Sequence, residues 1–421
     1  MASPGMMTFK KIVRRSGAWL IGLIKQLVAE KQRVRTIRAA RDAARRPRTH
    51  RLVVFVSDYP RSREAKLAYG LKNIGWNVVL LHRQKPSFDA YLYFDEVRQY
   101  SKPWEALALC TCYSPVAYHI FSNWNYDVAE LLIRNKPGKV VLDIYDVLSV
   151  FDPVWLKNLK WVNKNAVEQE IYCLQHAGGV CCRSPETQYL KRDLHISISP
   201  RRILFLDYCW NELEISPAEH SLDALHVVFC GNINIEKLDD DEWGTFLWVG
   251  RALAQRGIHF HLYPAFKNPH GLAFEDAYSE YIDLQHETDG LFQLHEPVPI
   301  ETLLREMSLY DVGLIAFTPF MPSRDRLIGG QTVGKYRYAV GNKLFDYLDA
   351  GLPVMINYTE FMTRIVKHYG CYIDPYYFLY EHSAELPTLE MERLKQQVLR
   401  ARAMLDVKKH VPRLAEFYMN L

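Results

Sequence analysis

At 421 residues the chain is too long for one ordinary core, and its 49% apolar content is that of a globular protein of two or three domains. Eight cysteines carry neither a Cys-x-x-Cys pair nor zinc spacing, which argues against a disulfide framework and for buried, reduced thiols in a cytosolic protein. The net charge of +4 hides an uneven spread: residues 1–51 hold 14 Lys/Arg and 2 Asp/Glu, while the rest holds 38 and 46.

Residues 8–46 read as one or two helices. Trp19, Leu20, Leu23, Ile24 and Leu27 share one side, with Lys and Arg before and after. The apolar run Gly17–Ile24 is too short to span a bilayer, and no cleavage site follows it. A basic, amphipathic arm on a mildly acidic body predicts a helix lying on an anionic membrane surface through residues 8–48. The plainer alternative is a helix packed on the body or a partner subunit. Nucleic acid is not expected, because the arm lacks a recognisable nucleic-acid-binding fold.

From Arg51 the pattern becomes strand–helix alternation. Strands are expected at 52–57, 78–81, 117–122, 140–144 and 179–182, with helices at 63–74, 127–134 and 167–176 between them. A short strand at 203–206 precedes a linker at 207–224. A second alternation opens with the strand 226–230, a helix over 241–256 and strands at 259–263 and 291–294. It continues through a helix at 300–308 and a strand at 312–317, and helices at 390–405 and 411–421 close the chain. The expected fold is α/β, with two Rossmann-like parallel-sheet domains facing a cleft. The boundaries are an arm at 1–50, a first domain at 51–215, a second at 216–400 and a terminal helix at 401–421. Ligands in such sheets gather beyond the carboxyl ends of the strands. That rule selects Ser57-Asp58-Tyr59-Pro60, Ser122-Asn-Trp-Asn125 and Tyr145-Asp146.

The most informative stretch is 341–357, Gly-Asn-Lys-Leu-Phe-Asp-Tyr-Leu-Asp-Ala-Gly-Leu-Pro-Val-Met-Ile-Asn. Asn342 suits an N-cap, Gly351 a left-handed C-terminal position, and Pro353 a stop before the buried strand 354–356. Leu344, Phe345 and Leu348 share one side of this helix, and Lys343, Asp346 and Ala350 the other. Free amides and a lysine at a helix start make a seat for a diphosphate. The plain alternative is a capped helix with a solvated polar face.

This stretch resembles the helix of GT-B glycosyltransferases that carries a pattern close to Lys-Leu-Phe-Glu-Tyr-Leu-Ala-Ala-Gly-Leu-Pro-Val. Lys343, Asp346, Gly351 and Pro353 fall on its defining positions. The large retaining family of these enzymes has two glutamates eight residues apart here. Asp346 stands where the second meets the nucleotide ribose, and Tyr338 where the first meets the donor sugar. Gly231-Asn232-(four residues)-Lys237 resembles the family's Gly-Arg-(four residues)-Lys, whose cations grip the donor diphosphate, with Asn232 replacing one of them. Lys335 or Arg337 would then supply the missing charge. Asp146 matches the Asp of a His-Asp pair at the cleft edge, with Tyr145 replacing the His, and Arg183-Ser184 resembles an Arg-Ser turn closing the first domain. In the GT-B fold the C-terminal tail crosses back onto the first domain.

The resemblance implies a metal-independent, hexosyl-type transferase with a nucleotide sugar as co-substrate and no other cofactor. Asp146 and Tyr338 are its candidate catalytic residues, and Gly231, Asn232, Lys237, Asn342, Lys343 and Asp346 its candidate donor-binding residues. The acceptor would be a glycan or a lipid-linked saccharide in cell-surface polysaccharide synthesis, on the cytoplasmic face of the membrane. The alternative is a non-catalytic GT-B-like nucleotide-binding or scaffold protein. Three other signals read as structural. Asp239-Asp240-Asp241 is explained by acids at a helix start. His259 and His261 share a strand face with no third metal ligand evident, and Gly329-Gly330…Gly334 suits a loop over the cleft. Arg61 and Arg63 read as a solvated basic turn.

Overall fold

The computed structural model describes residues 27–28, 30–159, 162–211, 215–216, 224–233, 246–265, 267, 271–315, 333–357, 359–381 and 383–421, without the side chains of Trp155, Val333 and Tyr336. Two parallel sheets organise them. The first holds β1 (Leu52–Ser57), β2 (Asn77–His82), β3 (Glu96–Gln99), β4 (Ala117–Ser122), β5 (Val140–Ile144), β6 (Gly179–Cys182) and β7 (Arg202–Leu204), in the order 3-2-1-4-5-6-7. The second holds β8 (His226–Gly231), β9 (His259–Pro264), β10 (Phe292–Leu294), β11 (Val312–Ile315), β12 (Val354–Ile356) and β13 (Tyr372–Ile373), in the order 10-9-8-11-12-13. Strand order reverses at β1/β4 and at β8/β11, the switch points where doubly wound sheets open a crevice. Val53↔Ala117 and Val312↔Val227 fix the register there. The central strands are buried on both faces, which is why they appear in the sequence as unbroken apolar runs.

One apolar core runs through both sheets and the end of the chain, joining Val53 and Leu71 to Leu344, Phe345 and Val411. The terminal helix Val407–Met419 packs on the helix Ser62–Asn73 at Gly70, where a Cβ would crowd Val411 at 3.2 Å and Val407 at 3.3 Å. Tyr418 reaches the sheet and hydrogen-bonds His119. The preceding helix Met391–Met404 instead gives Met391 and Leu394 to the second domain's core. The crossing lies at 405–406, where Cys209 donates to the Leu405 carbonyl and accepts from Val407.

Asp207, Tyr208, Cys209 and Trp210, which open the expected linker, are buried, because both domains and the terminal helix meet on them. One expectation changes here: Arg63 is not solvated. Its guanidinium is buried between Asp143 (2.8 Å) and Asp207 (2.7 Å), and His119 contacts the same Asp143 at 3.0 Å. Burial alone would raise the Asp143 carboxyl, but Arg63 and His119 hold it at about 2.

Of the arm, residues 30–43 are helical, with Ala40 and Ala43 buried, Arg33 over the Trp104 ring and Arg46 donating to the Thr111 carbonyl. The apolar face from Trp19 to Ile24 lies outside the described residues. Among those described, no helix is long and apolar enough to cross a membrane. All eight cysteines are free and only Cys112 is exposed.

Candidate functional site

The helix Asn342–Ala350 stands between the sheets. Gly341, not Asn342, is its N-cap residue, in an extended conformation and without a side-chain cap. Asn342 is therefore the first helical residue. Its Nδ2 lies 3.5 Å from Ser62 Oγ of the first domain, while its Oδ1 is buried without a hydrogen-bond partner. Gly351 terminates the helix at φ +83°, with Leu352 donating back to the Tyr347 carbonyl. Leu344 through Ala350 are all buried, so the helix has no solvated polar face. Its polar side meets the first domain instead.

Lys343 leaves the first turn toward Gly231 at the end of β8. Gly231 has φ +126°, and a Cβ there would lie 2.4 Å from Lys343 Cε and 2.8 Å from Nζ. Glycine is thus favoured by the backbone, and a Cβ there would also push aside the end of the lysine side chain. The ammonium sits 4.6 Å from the centroid of the Phe229 ring and makes no ion pair with any described residue. Burial lowers its pKa, only partly opposed by Cys230 and Asp346. A half-buried cation with no ion-pair partner among the described residues, at a helix N-terminus, is suited to an incoming anion. Asn232 follows Gly231 and is exposed. Lys237 lies outside the described residues.

Asp346 is one turn on, nearly buried. Its Oδ1 accepts from Lys66 of the first domain at 3.0 Å, and Asp349 Oδ2 lies 3.2 Å from the same ammonium. One lysine cannot neutralise two buried carboxylates, so burial holds the Asp349 carboxyl up at about 6 despite Lys66. Asp349 also accepts from the Trp210 amide at 2.7 and 2.9 Å.

A mirror arrangement lies nearby. Lys335, on the helix Val333–Tyr338, is buried between Asp146 (2.7 Å) and Glu186 (2.9 Å) of the first domain. Burial would raise the Asp146 carboxyl, but Lys335 and Arg183 hold it below the ordinary carboxylate range. Trp124 Nε1 donates to the same carboxylate at 3.0 Å. The expectation that Lys335 or Arg337 grips the diphosphate fails on this geometry, since Lys335 is committed and Arg337 pairs with Glu360 on the surface. Tyr338 accepts from Arg192 at 2.8 Å, and Arg183 donates twice to the Val340 carbonyl just ahead of the site helix.

Beyond the ends of β1, β4 and β5 a cavity of about 180 Å³ is lined by Asp58, Arg61, Glu64, Arg83, Asn125 and Tyr145, among others. Glu64 is buried and accepts from Ser57 and Tyr145, both at 2.7 Å. Burial raises its pKa beyond what these bonds lower. Arg61 lies over the Tyr59 and Tyr145 rings.

No family model and no curated protein matches the sequence. Solved structures do. Sucrose-phosphate synthase from Thermosynechococcus elongatus aligns with 88% of this chain and 99% of its own, at 13% identity and a TM-score of 0.57. Anabaena HepE, solved in complex with UDP and glucose, aligns with 88% and 100%, at 10% identity and 0.55. An O-GlcNAc transferase mutant from Thermobaculum terrenum aligns with 92% and 74%, at 12% identity and 0.52. The chain has the GT-B fold.

In the GT-B frame, Lys343, Asp346, Asn342 and Gly231 gather at one switch point, while Asp146 and Tyr338 lie along the same domain joint beside the first domain's strand ends. Sequence reasoning missed Lys66, Asp349 and Glu186, whose partners lie far along the chain. The only signal was a run of polar residues, Ser62-Arg-Glu-Ala-Lys66, opening a helix that is buried almost throughout. As to metals, Asp239–Asp241 fall outside the described residues. Among those described, His119, Asp143 and Cys181 come within ligand distance of one another, but Arg63 already bonds Asp143 and lies 3.6 Å from Cys181 Sγ. His259 and His261 are joined by His226 and His295, although the ring nitrogens bond each other, His226 Nδ1 to His261 Nε2 at 2.9 Å and His261 Nδ1 to His295 Nε2 at 3.1 Å.

Proposed function

We propose that the protein is a metal-independent glycosyltransferase of hexosyl type, taking a sugar from a nucleotide-activated donor to a glycan or lipid-linked acceptor in cell-surface polysaccharide synthesis. One observation carries the reading. The Lys343 ammonium, without an ion-pair partner among the described residues, stands beside Gly231 at the N-terminus of a buried helix that pairs with the first domain through Lys66. The diphosphate is assigned to Lys343 and the first-turn amides, and the ribose to Asp346, with Asn342 and Gly231 shaping the seat. No further cofactor is invoked. HepE, which shares the fold, was solved with UDP and glucose. The basic arm would hold the enzyme on the cytoplasmic face of the membrane, where a lipid-linked acceptor is presented.

In transfer, an acceptor oxygen bonds the anomeric carbon as the bond from that carbon to the diphosphate breaks. The electron pair leaves with the diphosphate, whose charge Lys343 and the helix amides stabilise. Asp146, kept ionised by Lys335, is a weak base that orients the acceptor hydroxyl and takes its proton once the forming bond has made it acidic. Most of the acceleration then comes from positioning.

The non-catalytic, nucleotide-binding reading is favoured by Asn232 at a cation's place and by the commitment of Lys335. Thermal-shift screening of nucleotide sugars, followed by assay of donor hydrolysis, separates the two. Transfer predicts a raised melting temperature with one donor class, reflecting a stabilisation of about 2.7 kcal/mol at a hundred times Kd, together with slow release of free sugar. Binding without any turnover supports the non-catalytic reading, and no shift with any donor contradicts both.

A further inference from the structure

The helix Ser62–Asn73 follows β1 and buries Ser62, Arg63, Glu64 and Lys66 in its first turns. Arg63 and Glu64 are used within the first domain. Lys66 is not. Its ammonium donates to Asp346 Oδ1 (3.0 Å), to Asp349 Oδ2 (3.2 Å) and to the Tyr208 carbonyl (3.3 Å), which uses all three of its protons. The two carboxylates are not equivalent. Asp349 is fixed independently by the Trp210 amide, whereas Asp346 has no other hydrogen bond to a described residue. The Asp346 side chain keeps about 9% of its surface exposed, against 3% for Asp349. Among the described residues, Lys66 is thus the one hydrogen-bond partner that sets the plane of the Asp346 carboxylate.

We propose that Lys66, a residue of the first domain, is a positioning residue of the donor site. It fixes Asp346 through Oδ1 so that Oδ2 meets the ribose hydroxyls, and so ties donor recognition to the pairing of the domains. This rests on the donor reading of Asp346 given above. An aspartate has one methylene less than a glutamate and reaches less far, so its free oxygen must be held in place to serve a hydroxyl pair. The clasp of Lys335 with Asp146 and Glu186, and the terminal helix on the first domain, also join the two halves. Loss of Lys66 therefore separates positioning from assembly.

The test is calorimetry with a nucleoside diphosphate and its 2′,3′-dideoxy counterpart, on wild type, Lys66→Met, Asp346→Asn and the double variant, with melting temperatures alongside. Wild type should prefer the ribose form by about tenfold or more, the effect of a hydrogen bond to a charged group. Lys66→Met should bring that preference within about twofold while leaving dideoxy affinity unchanged. In the Asp346→Asn background it should change the ratio no further. Should Lys66→Met not fold, Lys66→Met/Asp349→Asn removes opposite charges together and is read in the same way. A ribose preference that survives in the Lys66 variants, whatever their melting temperature, overturns the proposal and leaves the donor reading standing. Wild type that binds no nucleoside diphosphate overturns both.

Discussion

A methyl group at position 231 would lie 2.4 Å from the Lys343 side chain, on a backbone at φ +126°. Gly231→Ala should therefore displace Lys343 and lower nucleoside-diphosphate affinity about as much as Lys343→Ala does, roughly ten- to a hundredfold. Calorimetry on the two variants checks this, and a Gly231→Ala protein that binds normally would show that the lysine does not need its present path. Asp349 gives a second test. Its carboxyl is raised from 3.8 to about 6 in the folded chain, so its contribution to stability is complete below 3.8 and is lost as pH rises through about 6. Asp349→Asn should gain stability relative to wild type between pH 4 and pH 7, by on the order of 3 kcal/mol, in paired denaturant titrations. Lys343, Gly231 and Asp346 were singled out in the sequence as candidates because their spacing resembles a family pattern. Lys66 and Asp349 could not be, since 283 residues separate them. No periodicity encodes a pair of that separation.

At the level of elements, central strands and long helices were readable, because a strand covered on both faces shows an unbroken apolar run and a crossover helix shows its stripe. β3 was missed, for Glu96-Val-Arg-Gln99 is an edge strand with no buried residue. The helix Val333–Tyr338 was missed because its Lys335 and Tyr338 are polar positions that pair across the domain joint. For the Asn342–Ala350 helix the plain alternative of a solvated polar face is excluded by burial, which an amphipathic pattern could not decide because it does not distinguish water from a charged neighbour. The second sheet carries its own pH signal. His226, His261 and His295 form a hydrogen-bonded row, with His259 stacked on His226 and Tyr310 on His261. Each link needs one N–H and one lone pair, so the rings at the two ends must each offer a lone pair or a proton to His261. Burial and the neighbouring histidines lower His261 to about 3, while Glu306 faces His295, and Asp311, beside Lys395, accepts from the His226 amide. A lowered histidine contributes stability above its ordinary 6.5 that is lost as pH falls toward 3. His261→Gln should flatten that acid slope by about 1.4 kcal/mol per pH unit below pH 6, and an unchanged slope would place the titration elsewhere.

Across the whole molecule, two lysines face opposite ways over the domain joint, each between two carboxylates of the other domain, and the terminal helix crosses back beside them. The seat at Lys343 is thus assembled by contacts that do not involve a ligand. The charge of the molecule is polarised as well, with the basic excess in residues 1–51. Removing residues 1–29 keeps the part of the arm packed on the first domain. It should abolish co-sedimentation with anionic liposomes, which for the full chain should weaken as salt rises. Equal binding by both chains, or binding indifferent to salt, would count against the anchor.

The central claim is that Lys343 at the start of the Asn342–Ala350 helix seats a nucleotide diphosphate without a metal. Calorimetric titration of wild type and Lys343→Ala with a panel of nucleoside diphosphates, with and without chelator, tests it most directly. The account predicts micromolar-range binding of at least one nucleotide by wild type, unaffected by chelator, and weakened about ten- to a hundredfold in a folded Lys343→Ala protein. Equal affinity in the two proteins, or binding that vanishes with chelator and returns with manganese, would contradict it.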